Sequence, residues 1–152
     1  MLPVSHAIGG NADIIYDYEA SLDYPEHSLL LEATLADGTN QRRMEMEPVS
    51  RHLGNYLIAT KNYKSFCIFV TNNLHINVLS DFRNRKTIIY YNTQDYDDFV
   101  SGMKIIPINT SDLRSIIKNR IKHIDIYKKF EKAYQCNENN PKRWYDEYVS
   151  FS

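Results

Sequence analysis

The chain lacks most of the features that announce a protein class on sight. Two cysteines occur in 152 residues, Cys67 and Cys136, and neither has ligand company at zinc spacing, so a disulfide framework and a structural zinc site are both excluded. No apolar run reaches ten residues, which excludes a membrane-spanning helix. The opening segment MLPVSHAIGG has neither the charged nor the apolar region of a secretory signal. A reduced, cytoplasmic setting is the expectation. Five glycines and five prolines are too few for a linker-rich chain, and a hydrophobic content of 43% is enough to fold. Length and the absence of repeats predict one domain over residues 1–152.

Net charge is also low, at −1, so bulk charge does not mark a nucleic-acid binder. Its distribution is less even. Residues 1–50 carry nine acidic against two basic side chains, and residues 51–152 sixteen basic against ten acidic. An acidic lobe that holds cations beside a basic lobe that touches phosphates suits a nuclease. Lysines on a long solvated helix over 110–132 account for the basic excess equally well.

What is present is concentrated in residues 9–54. GGNADIIYDY reads as a turn into a strand, SLLLEATL as a second strand, and ADGTNQRRMEMEPVSRHLG as a turn into a helix. Pairing 13–19 with 28–35 across the loop at 20–27 makes an antiparallel hairpin. The simplest register sets Ile15 opposite Glu32, with Asp13 diagonal to Glu32 on the same face and roughly 7–8 Å away. Leu29, Leu31, Ala33 and Leu35 then face the core, and Ser28, Leu30, Glu32 and Thr34 face away. On the helix, Gln41 and Glu45 share a face, and His52 returns to it if winding survives Pro48. Asp13, Glu32 and Glu45 are thus the acids a metal-dependent nuclease needs.

These residues resemble a known family. Asp-Ile-Ile at 13–15, Leu-Leu-Glu-Ala-Thr-Leu at 30–35, Gln41, Met-Glu at 44–45 and Pro-Val-Ser-Arg-His-Leu at 48–53 look like the catalytic domain of AlwI-type endonucleases. These are type IIS restriction and nicking enzymes on the PD-(D/E)xK fold. The likeness is sharp over 9–54 and loose beyond. It implies that Asp13, Glu32 and Glu45 hold a divalent metal, with His52 beside them and the Ala33 carbonyl a further ligand. The general motif asks for lysine two residues after the second acid; Thr34 stands there, as in the AlwI group. The resemblance further implies double-stranded DNA as substrate, and either a separate cleavage subunit working with a large recognition subunit or a catalytic domain without its recognition domain.

Phosphodiester hydrolysis needs a hard cation to polarise the phosphoryl oxygen and activate water. Mg²⁺, for which Mn²⁺ can substitute, is satisfied by two or three protein acids. Asp13 and Glu32 are the expected direct ligands, and Glu45 completes the sphere or orients water. His52 and Gln41 position water or phosphate. Two other readings compete: a nuclease of this fold acting on other nucleic acids, and an inactive fold remnant serving in assembly.

The remaining chain predicts a buried strand at 65–71, a helix at 73–83, a strand at 87–93 and a short helix or turn at 95–102. A strand at 104–109 follows, placed at an edge or an end by Pro107. One long helix from Thr110 or Ser111 to about 132 comes next, then a last helix over 141–149 with Trp144 packed inward. Residues 1–12 read as irregular, and Gly54 as a helix breaker. The sum is an α/β fold with a mixed central sheet led by the hairpin and flanked by helices.

Overall fold

The computed structural model describes residues 3–6, 12–34 and 38–151, with side chains for 12–34 and 46–151. In chain order the elements are β1 (Pro3–His6), β2 (Ile14–Tyr18), β3 (His27–Thr34), α1 (Gly38–Thr60), β4 (Phe66–Thr71), α2 (Ile76–Asn84), β5 (Ile89–Asn92), β6 (Asp95–Ser101), β7 (Ile105–Asn109), α3 (Thr110–Lys118), α4 (His123–Gln135) and α5 (Pro141–Trp144), which continues as a wider turn over Tyr145–Val149. Five strands form a mixed sheet in the order β1-β2-β3-β4-β7. The first three pair antiparallel and the last three parallel. Among the described residues no helix is long and apolar enough to cross a membrane.

Both faces of the sheet are covered. On one, Leu30, Cys67, Phe69 and Ile105 pack against Val49, Leu53 and Leu57 of α1. On the other, Leu29, Phe66, Ile68 and Ile106 pack against Phe130 and Ala133 of α4 and the indole of Trp144. β4 lies between two parallel neighbours and is buried at every position, which is why its sequence is an unbroken apolar run. Pro107 lies in β7, the edge strand, where its missing N–H breaks no ladder on the outer side.

Several expectations need correcting. Residues 3–6 form a strand rather than irregular chain, adding β1 to the antiparallel edge. α1 winds continuously through Pro48, so no restart occurs. Gly54 does not break it: the Tyr90 ring lies flat against that helix, where a Cβ would come within 2.4 Å of the ring. The helix ends instead at Lys61, at φ 58°, whose N–H bonds the Leu57 carbonyl at 2.9 Å. Residues 95–101 are a strand, paired with β5 in a ribbon apart from the main sheet. Its inward residues Tyr90 and Val100 contact the α1 layer while Tyr91 and Phe99 face out. That outward face masks the usual alternation of strand sequences.

The long C-terminal helix is two helices. Arg120 adopts φ 50°, Arg120 N–H bonds the Ile117 carbonyl at 3.2 Å, and Ile121 N–H bonds the Ile116 carbonyl at 3.0 Å. This pair of reversed bonds is a Schellman stop, here built on arginine rather than glycine, so composition gave no warning.

Candidate active site

The hairpin of β2 and β3 pairs Ile14 with Leu31 and Ile15 with Leu30, two residues away from the register expected. One further step sets Asp13 directly across from Glu32. Facing residues of an antiparallel pair lie closer than diagonal ones, about 5 Å between Cβ atoms.

Their face also differs from the one expected. Ser28, Leu30 and Glu32 point toward α1 and are buried, while Ala33 is exposed. Because the sheet has two covered faces, the even positions meet a helix rather than water. Glu32 is only 6% exposed. Burying an ionised carboxyl is costly unless it is paired, and the pairing comes from α1: His52 Nδ1 lies 2.5 Å from Glu32 Oε1. Helical winding across Pro48 is what delivers His52 to that position. His52 thus bonds Glu32 itself.

Asp13 is held differently. Its Oδ2 accepts the Ala33 N–H at 2.8 Å. The described β2 ladder begins at Ile14, so the carboxylate takes over where β2 backbone would otherwise bond β3. In a strand the N–H and C=O of one residue point to the same neighbour, which directs the Ala33 carbonyl to the Asp13 side as well. Both acids bear on the Cys67 thiol, pushed well above its usual range first by burial, then by the charges of Glu32 and Asp13. Cys67 pairs with Leu30, two residues before Glu32 on the same face of β3.

The side chains of Gln41 and Glu45 lie outside the described residues. Their backbone is the first half of α1, and Glu45 stands seven residues, roughly 10 Å along the axis, before His52. Among the described residues no three His, Cys, Asp or Glu side chains cluster closely enough for a metal cage. Glu47 is exposed and pairs with Arg51 at 3.2 Å.

This constellation sits in a stretch with a recognisable profile. The sequence pattern of the AlwI restriction endonuclease family matches residues 1–116. The chain belongs to that family. No curated protein sequence matches it. Among solved structures, the small subunit (R.BspD6I2) of the heterodimeric restriction endonuclease R.BspD6I superposes with a TM-score of 0.65 at 17% identity, over 94% of this chain and 68% of that one. At that identity the likeness establishes the restriction-endonuclease fold. The AlwI membership covers β1 to most of α3 and so includes the hairpin, α1 and the whole sheet.

Proposed function

We propose that this AlwI-family chain is a Mg²⁺-dependent DNA endonuclease subunit or catalytic domain, cutting one strand and taking its site recognition from a large partner. The observation that carries the reading is the juxtaposition of Asp13 and Glu32 across one strand pair, with His52 bonded to the second acid. The donor set suits a hard cation: two carboxylates, with the Ala33 carbonyl directed to the same side. Asp13 and Glu32 would hold the ion, and Glu45, arriving from the start of α1, would complete its shell. Bound magnesium supplies positive charge for the phosphoryl oxygens and lowers the pKa of water. The Ala33 N–H orients Asp13, and the imidazole of His52 orients Glu32, so both acids are set before substrate arrives. With Thr34 at the motif-lysine position, His52 would help position or deprotonate water, and Gln41 would steady a phosphate oxygen.

Supercoiled plasmid incubated with purified chain and Mg²⁺ or Mn²⁺ should be nicked slowly and without sequence preference. EDTA and Glu32→Ala should each abolish nicking. Persistence in either would overturn the assignment. An assembly role without catalysis is favoured only by the burial of Glu32 against His52, and it predicts no change in melting temperature on adding Mg²⁺.

A further inference from the structure

A groove opens at the carboxyl ends of β4 and β7, the end of the sheet nearest Glu32, walled in part by α5, which packs on the face away from α1. Thr34 pairs with Thr71, and Thr71 with Asn109, so the ends of β3, β4 and β7 are level. Just beyond them Asn72, Asn109, Thr110 and Ser111 line an open cavity of about 560 Å³, with Arg114 of α3 and Lys142 of α5 at its walls. Thr110 Oγ1 donates to Asn72 Oδ1 at 2.8 Å, tying the two strand ends together. No carboxylate lines this groove among the described residues. The cleft at the other end of the hairpin, by contrast, is walled by Asp17, Glu19 and Glu26. Lys142 also pairs with Asp146 at 3.0 Å, outside the groove lining, and both are exposed. Another basic cleft, beside Arg83 and Lys86, is different in kind, because those cations are bonded to the Tyr134 and Cys136 carbonyls at the end of α4.

We propose that the Asn72–Thr110–Arg114–Lys142 groove binds the phosphodiester backbone of the substrate strand beside the bond being cut. This rests on the nuclease reading above. From β3 to β7 is two strand spacings, roughly 10 Å. A separation of that order places the groove within one or two nucleotides of a phosphate held at Asp13 and Glu32. Amide and hydroxyl groups with two cations contact phosphate and sugar without reading bases, so the groove sets position rather than sequence. It supplies the acidic hairpin end with the positive charge it lacks. Other lysines lie away from the groove: Lys128 and Lys132 are exposed on α4, whose first residue, His123, bonds His27 at the far end of β3.

The test is fluorescence anisotropy of a labelled 30-base-pair duplex with the full chain in EDTA, over a salt series. Arg114→Glu with Lys142→Glu should weaken binding at least tenfold at ~0.1 M salt and lower the slope of log affinity against log salt by about two. Lys128→Glu with Lys132→Glu should stay within twofold of wild type. Arg114→Gln with Lys142→Gln repeats the measurement without charge reversal, and melting curves confirm the fold of each variant. Equal losses in the two reversed pairs, wild-type binding by the groove variant, or no duplex binding by wild type even at low salt overturns the groove. Plasmid nicking that depends on Glu32 reads the nuclease assignment separately: intact nicking with an unaffected groove variant removes the groove alone, and groove-dependent binding without nicking removes the nuclease alone.

Discussion

The Glu32–His52 pair is buried between β3 and α1, and its removal is the sharpest test of the structure. His52→Ala takes the 2.5 Å partner from a carboxylate that is 6% exposed. Breaking a buried pair from one side costs about 3–5 kcal/mol, whereas leaving a buried polar group short of one bond costs about 1–3 kcal/mol. The lower range applies here, because His52 lines a cavity of about 260 Å³ with Asn55 and Tyr56 through which water can reach the carboxylate once the ring is gone. A loss of ~2 kcal/mol in urea unfolding without divalent ions is expected, seen as a drop of about 4–8 °C in Tm for a chain of this length. Glu32→Gln keeps a hydrogen-bonding partner for the imidazole and removes the buried charge, so it should cost under ~1 kcal/mol. The double variant should reveal a coupling of about 1–2 kcal/mol. With Mg²⁺ at a hundredfold excess over its Kd, wild type should gain ~2.7 kcal/mol, and Glu32→Gln should gain almost none. A His52→Ala protein as stable as wild type, with coupling near zero, would refute the geometry.

Three further outcomes follow from the packing. Gly54→Ala improves helix propensity by at most ~1 kcal/mol but drives a methyl into the Tyr90 ring, so it should destabilise by about 1–2 kcal/mol, and Tyr90→Ala in the same chain should reverse the sign. Asp112, fully buried, accepts from the Tyr145 hydroxyl, the Ser150 hydroxyl at 2.9 Å and the Phe151 N–H at 2.7 Å. Asp112→Ala removes all three of these bonds and should cost ~3 kcal/mol and expose residues 145–151 to limited proteolysis. The third concerns acid. The Pro25 carbonyl can only accept, so His27 carries its proton on Nδ1 and His123 donates across the 2.9 Å Nε2–Nε2 contact. Burial, then His27, pushes His123 down from 6.5 to about 4, and burial lowers His27 too, against the bond to Pro25. The unfolded chain therefore takes up protons that the native pair refuses. Stability should be level above pH 6.5 and fall between 6.5 and 4, by on the order of 1–3 kcal/mol given the partial exposure. His123→Gln should flatten that slope, and an unchanged slope would count against the pair.

The sequence was read most reliably where local pattern and tertiary context agree. The SLLLEATL strand, the FCIFVT strand and Pro107 at an edge all emerged as expected, since a run with helices on both faces is apolar throughout. The errors share a cause. The face of Glu32 was misassigned because polar residues at alternate positions usually mean water, and here Ser28 and Glu32 instead meet Tyr56 and His52 of α1, with Tyr56 donating to Ser28 Oγ at 2.7 Å. Arg120 stops a helix by adopting a left-handed φ that an arginine gives no reason to expect. The acidic stretch at 95–101 is a strand because it pairs with β5, a pairing its own polar sequence does not reveal. Asn72 drew no notice in sequence and Asn109 was read only as the end of a strand, although polar residues that end neighbouring parallel strands are a place where open α/β sheets bind ligands.

By itself the order of residues determined the acids and their spacing: Asp13 and Glu32 on two short strands joined by a short loop could hardly fail to meet across a hairpin, because adjacent strands pair locally. Only the tertiary structure decided what surrounds them. Which face is covered, which helix turn brings an imidazole to Glu32, and which strand ends open the groove beside it depend on contacts between elements far apart in the chain, and no spacing of letters encodes those contacts.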